Sequence, residues 1–280
     1  MAQERNNVPD PEAARRLRVL FDELYDDYTR REYVPPDPVE ALYAFDDPGD
    51  REIAGLVASC LAYGRAASIS RSVSRVLSPL SPAPRKALCA MTDRDLRELY
   101  AGFRHRFTSG DSVADLLRGA ARAIGERGSL GACFHAALAG GSDIVRATET
   151  FVSILRKGGE MNDSFLLPSP ADGSACKRLF LYIKWMSRRD AVDPGGWAGV
   201  PPSSLMMPVD THIFRIGRTL GFTSRSQADL RACREITQAF AAICPEDPTK
   251  YDFCLSRFGI RSDLKMEHLL ATCATAVRRG

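Results

Sequence analysis

Two short segments hold the residue types that can do chemistry. Pro170-Ala171-Asp172-Gly173-Ser174-Ala175-Cys176-Lys177-Arg178 turns on Pro, Asp and Gly, then enters an amphipathic helix with Leu179, Tyr182, Ile183 and Met186 on one face. The first N–H groups of such a helix have no intrahelical acceptor, so its mouth is a natural phosphate cradle, and Lys177 and Arg178 add charge there. A capped helix with two solvated cations accounts for the same residues. Met207-Pro208-Val209-Asp210-Thr211-His212 opens a second helix, with Asp210 falling 33 residues after Lys177. Asp210 stands as its N-cap, Ile213, Ile216 and Leu220 form its buried face, and Gly221 takes the position past its end. Capping alone explains Asp210, and a lone His212 is ordinary on a helix surface.

Both helix starts lie in a chain with helical spacing almost throughout. Leu17, Leu20, Phe21, Leu24, Tyr25 and Tyr28 share one helix face, and Ile53, Leu56, Val57, Cys60 and Leu61 repeat the pattern. Further helical stretches run over 67–78, 93–102, 112–126, 143–157, 176–188, 211–220, 226–242 and 248–258. Breaks fall where Pro or Gly gather, at 34–38, 78–84, 168–173, 194–202 and 245–248. Strand-type alternation is not sustained, and no repeat of roughly 20–50 residues signals a solenoid. The expected fold class is all-α.

With 280 residues, 45% hydrophobic and 26% charged, the chain suits one large soluble domain or two intimate halves. No apolar run approaches the ~18 residues of a membrane span. Met1-Ala2-Gln3-Glu4-Arg5 lacks the form of a secretory leader. An intracellular, cytoplasmic protein with no membrane partner is expected, its residues 1–10 forming a flexible tail. The eight cysteines are scattered without a CxxC pair, which fits reduced core thiols better than disulfides, zinc or an iron–sulfur cluster. Neither metal nor cofactor is expected. Formal net charge is +3, but Lys177–Arg234 holds ten Lys or Arg against four Asp, a local +6 that leaves −3 elsewhere. Such asymmetry suggests a positive face meeting a polyanion, although a solvated charged surface fits the charge equally well.

Taken together, the two segments resemble the helix-hairpin-helix/Gly-Pro-Asp DNA glycosylases, which include endonuclease III and the 8-oxoguanine DNA glycosylases, and within them a bacterial branch. There a lysine ends a Leu-Pro-Gly-Val-Gly-x-Lys hairpin and an aspartate follows in Pro-Val-Asp-x-His. Lys177 matches the lysine, Gly173 the first hairpin glycine, Asp210 the aspartate and His212 a phosphate-touching position of the 8-oxoguanine enzymes. More faintly, Cys60–Leu77 resembles the helix after the loop that invades the base stack, and Tyr251–Gly259 a late base-pocket helix. Ala175 departs from the second hairpin glycine. The Lys-to-Asp spacing is longer than in most of the superfamily, through the Gly/Pro/Trp loop at 194–202, an insertion that loops accept cheaply. The resemblance implies two intimately packed helical subdomains over 11–280, with a DNA-binding cleft and a helix-hairpin-helix motif. It further implies a nucleoid-associated monomer acting on double-stranded DNA containing a damaged base.

The implied chemistry is base excision with AP lyase activity. Lys177 attacks C1′ of the damaged nucleotide to form an imine, and Asp210 stabilises the positive charge that develops on the sugar. The base must first leave the stack, at a cost of a few kcal/mol. Gly173, Ser174, Arg178, Lys184, His212 and Arg215 are expected at DNA, Tyr63 and Arg65 in the gap left by the flipped base, and Asp252 and Arg257 at a base edge. Solvated charge, loop packing and a surface salt bridge are the respective alternatives. Trp185 is expected in the core and Trp197 in loop packing. An oxidised purine such as 8-oxoguanine is the expected lesion. The main competing reading is a non-catalytic helix-hairpin-helix DNA-binding protein, followed by an RNA-directed or protein-interaction scaffold.

Overall fold

Helix starts follow the caps written into the chain. The computed structural model describes residues 7–140, 143–157 and 165–278. There α1 (Pro11–Tyr28) begins under Asp10, which accepts from the Glu12 and Ala13 N–H groups at 2.9 and 2.8 Å. Asp10 is thus the cap of α1 rather than part of a loose tail; residues 1–6 of the expected tail lie outside the described residues. Asp47 caps α2 (Pro48–Cys60) in the same way, and α3 (Ala66–Leu77) and α4 (Pro84–Ala90) follow. A Thr92/Asp95 capping box opens α5 (Asp93–Tyr100). A short hairpin pairs β1 (Arg104–His105) with β2 (Thr108–Ser109) antiparallel, before α6 (Gly110–Arg127), α7 (Leu130–Ala139) and α8 (Ile144–Arg156). The chain continues through α9 (Lys177–Ser187), α10 (Thr211–Thr219), α11 (Leu230–Ile243), α12 (Asp252–Ile260) and α13 (Met266–Arg278). With 66% helix against 2% strand, the protein is all-α.

The helical periodicity did not disclose α4, α7 or α13. In α7 and α13 the many Ala, Gly and Thr positions blur the apolar stripe, and α4 spans only seven residues beside a Pro-rich break. The hairpin strands, two residues each, are too short for alternation to show.

The described chain divides into two compact units. The first comprises the chain up to Tyr33, Gly173–Phe180 and everything from Pro201 onward. Phe21 of α1 packs at its centre, 5.9 Å from the Phe240 ring and 5.3 Å from that of Tyr251. The second comprises Val34–Asp172 and Leu181–Val200. Its centre is a buried carboxylate. Glu52 of α2 accepts from the Leu130 and Gly131 N–H groups at 2.9 and 3.0 Å and from Trp197 Nε1–H at 3.0 Å. The negative charge therefore sits at the N-terminus of α7, where the helix dipole favours it. Trp197 stacks on Phe134 at 5.5 Å and meets Tyr182 edge-on at 5.0 Å. Burial pushes the Glu52 carboxyl up, against the hydrogen bonds that pull it down.

Three charged side chains, Lys184, Arg188 and Asp193, are buried at and just after the end of α9, and Asp190 beside them is half-buried. Lys184 Nζ lies 3.6 Å from Asp193, whose carboxylate also takes Arg188; Arg188 reaches Asp190 at 2.8 Å, and Asp190 accepts from the Val192 and Asp193 N–H groups at 2.7 Å. Burial holds the Asp193 carboxyl above its ordinary value despite both cations.

Two measurements follow. Asp193→Ala removes the buried carboxylate that Lys184 and Arg188 share, leaving Arg188 with Asp190, and is expected to lower unfolding free energy by about 3 kcal/mol in urea; a loss below a few tenths would mean that the cations find other partners or water. For Glu52, folding favours the protonated form, so its contribution is full below the unfolded pKa and is lost as pH rises through the raised folded value. Glu52→Gln is expected to be less stable by about 1–3 kcal/mol and to lose stability less steeply than the parent as pH rises through the weakly acidic range.

Candidate functional site

Lys177 is the first residue of α9 and Asp210 the N-cap of α10, and both belong to the first unit. The approach to Lys177 uses two left-handed residues, Gly173 at φ 74° and Cys176 at φ 45°. A Cβ at Gly173 would meet nothing within 4 Å, so glycine is needed there for its φ alone. Cys176 holds the same region despite its Cβ, a costly conformation immediately before Lys177. The second left-handed step thus falls at Cys176, and Ala175 meets no such strain. Ser174 Oγ accepts from the Cys176 N–H at 3.2 Å, and the Cys176 carbonyl accepts from the Leu179 and Phe180 N–H groups at 2.9 and 3.0 Å.

One helix grips both segments. At its start, the Leu230 N–H of α11 donates to the Gly173 carbonyl at 3.0 Å, while Ser174 pairs with Asp229 in an isolated bridge. Farther along, Thr237 Oγ1 accepts from the Met207 N–H at 3.0 Å and Cys233 Sγ–H donates to the Met207 carbonyl at 3.3 Å. Burial pushes the Cys233 thiol up to about 12. Hence α11 fixes the turn that presents Lys177 and the run that leads to Asp210.

Asp210 Oδ1 accepts from the His212 and Ile213 N–H groups at 2.9 and 2.7 Å. Among the described residues, Oδ2 accepts nothing, and Lys177 Nζ makes neither ion pair nor hydrogen bond. Both side chains are half-buried, and no direct ion pair joins them. Gly173 is exposed, and Ser174 and Arg178 are half-buried at the same mouth. His212 packs on the backbone of α12, where a Cβ at Gly259 would fall 1.9 Å from its Nδ1. Arg215 is exposed and paired with Glu267 at 3.0 Å.

Four expectations need correction. Lys184 is 1% exposed and turned to Asp193, so it belongs to the interior and not to a phosphate-facing surface. Asp252 and Arg257, 5% and 1% exposed, lie in the interior and not at the surface. Arg257 lies over the Phe253 ring at 4.2 Å and donates to the Tyr33 carbonyl at 3.4 Å. Tyr63 lies in the second unit as hairpin packing, its hydroxyl 2.8 Å from the His105 carbonyl and 2.6 Å from Thr108 Oγ1. Arg65 is exposed at the start of α3, after Gly64 at φ 100°.

The local charge excess survives these corrections. Asp190 and Asp193 pair with Lys184 and Arg188, and Asp229 with Arg225 at 2.8 Å, so the pairs cancel. What remains in the first unit includes the exposed Arg218, Arg231 and Arg234, while Arg215 is paired with Glu267 from outside the segment. Phe103-Arg104-His105-Arg106-Phe107, absent from the expected site residues, interleaves rings and cations, a signal present in the sequence itself. Among the described residues, no three His, Cys, Asp or Glu side chains gather as a metal site, and no helix is long and apolar enough to cross a membrane.

Residues 37–261 match the model of a family described as Protein of unknown function (DUF2400), and the chain belongs to that family. No curated protein and no solved structure matches the chain.

The two roles open to Asp210 separate by substitution. Asparagine caps a helix about as well as aspartate, so Asp210→Asn is expected to melt with the parent, whereas Asp210→Ala should cost about 1 kcal/mol. Thermal melts of both variants check this, and a large loss in Asp210→Asn would show that the charge itself is structural.

Proposed function

We propose that this member of the DUF2400 family is a base-excision DNA glycosylase with AP lyase activity, acting on an oxidised base such as 8-oxoguanine in double-stranded DNA. The observation that carries this reading is the uncommitted Lys177 amine at a helix mouth, held by the same α11 that fixes the approach to Asp210. The turn at 173–176 would act as the hairpin of a helix-hairpin-helix motif. Gly173, Ser174 and Arg178 would then meet a backbone phosphate at the start of α9, where N–H groups and helix dipole favour an anion. His212 and Arg215 lie at the start and middle of α10, and Arg215 would exchange Glu267 for phosphate.

In the reaction, the Lys177 amine attacks C1′ while the bond to the base breaks and the base departs with a proton. Asp210 carries its role through Oδ2: Oδ1 is held by two backbone amides, and the remaining oxygen opposes the positive charge developing on the sugar. Loss of the second amine proton and opening of the sugar give an imine, from which the 3′ phosphate is eliminated. One observation favours the second reading, a protein that holds DNA without cutting it: capping fully accounts for both Asp210 hydrogen bonds.

Borohydride trapping on duplex DNA carrying 8-oxoguanine or an abasic site decides between them. The parent is expected to form a covalent adduct, Lys177→Gln none, and Asp210→Asn an adduct slowed by roughly 10²–10³. If DNA binds and no adduct forms on either substrate, the amine mechanism fails and the holding reading stands.

A further inference from the structure

Phe107 is 71% exposed at the tip of the β1–β2 hairpin, the most exposed large hydrophobic side chain among the described residues. Its pedestal is built rather than loose. His105, 3% exposed, places Nδ1 2.9 Å from Ser72 Oγ of α3 and Nε2 3.0 Å from the Tyr63 carbonyl. Tyr63 returns its hydroxyl to the His105 carbonyl and Thr108, and Thr108 is fully buried. Phe165, 43% exposed, meets Phe107 edge-on at 5.5 Å and Tyr63 at 5.0 Å. The fold thus fixes an aromatic face in water, where it contributes little to the core.

The surroundings are one-signed. Arg65, Arg71, Arg75, Arg104 and Arg106 are all exposed, and residues 63–77 and 102–109 contain no Asp or Glu. The hairpin and α3 are packed neighbours: Arg75 donates to the Gly102 carbonyl at 3.4 Å and lies over the Phe103 ring at 5.5 Å. The Arg106 guanidinium lies 5.5 Å from the Phe107 ring centre. Asp111, the next acid along the chain, is paired with Arg97 at 3.1 Å.

We propose that the face made by α3 and the hairpin binds single-stranded DNA, with the arginines tracking phosphates and Phe107 stacking on an unpaired base. A cationic track beside a rigid aromatic platform is the chemistry that holds single strands. A paired duplex hides its base faces and offers Phe107 nothing to cover. That the strand is DNA rests on the reading of the preceding section; the preference for unpaired bases does not.

The test is an anisotropy titration of the full chain with a labelled oligothymidylate of about twenty nucleotides and with a paired duplex of equal length. The parent is expected to bind both, but only the strand through Phe107. Phe107→Ala should weaken strand binding by roughly tenfold, the effect of one lost stack, and leave duplex binding unchanged; Phe107→Trp should retain it. Arg104→Ala with Arg106→Ala should lower the slope of log affinity against log salt by about one unit. An exposed ring can be removed without unfolding, which melting curves verify. The proposal is overturned if Phe107→Ala binds the strand like the parent, if it loses duplex binding in equal measure, or if the parent prefers an oligouridylate. Lost trapping with Phe107-dependent binding intact sinks the glycosylase reading alone, while trapping with Phe107-independent binding sinks only this one.

Discussion

Glu52 gives up its water to sit beneath the first turn of α7, and three donors from two distant stretches of chain replace what it loses. Two are backbone amides that every helix start has to satisfy, and the third is the indole of Trp197. The bond to Trp197 pins the Gly/Pro loop after α9, and that loop then doubles back on the helix: the Gly195 and Trp197 N–H groups donate to the Trp185 and Met186 carbonyls at 3.0 and 2.7 Å. A shorter side chain at 52 or 197 would leave a buried acceptor or donor unmet, which costs more than the bond contributes. Close packing follows from the same contact, since a Cβ at Gly131 would fall 2.6 Å from the indole.

The charges at and just after the end of α9, three of them buried, obey the same rule. Lys184, Arg188, Asp190 and Asp193 balance one another in sign, so each is tolerable only while the others are present. That is why a local charge excess read along the chain overstates what any one side chain offers to a polyanion. The cations nearest the hydrophobic stripe of α9 are structural, and the exposed arginines carry the field.

All-α class, most helix positions, the cap at Asp210 and the turn before Lys177 were legible because they depend on local chemistry. Proline and glycine punctuate, aspartate caps, and apolar residues recur with the helix period. Lys184, Asp252 and Arg257 read as solvent-facing for one reason: a polar residue on an otherwise apolar face looks exposed until its buried surroundings are known, whereas for Tyr63 the packing alternative is the one the structure shows. The partners, Asp193, the Tyr33 carbonyl and the hairpin backbone, lie nine to over two hundred residues away. Likewise the left-handed Cys176 left no trace in the sequence, because nothing about a cysteine announces a positive φ. The grip of α11 on both candidate segments is tertiary and equally silent.

The cysteines have a use that their chemistry alone does not suggest. Cys89 is exposed, while Cys60 and Cys133 are buried in the second unit and Cys176, Cys233, Cys244, Cys254 and Cys273 in the first. All are reduced, and a thiol reagent reaches a buried sulfur only when the structure around it opens. The molecule therefore carries an internal clock for each unit: one fast labelling event at Cys89, then two groups of slow events whose rates report how often each core breathes. Cys176 is the most informative of these. It stands directly before Lys177, so its rate of modification times the opening of the helix mouth itself.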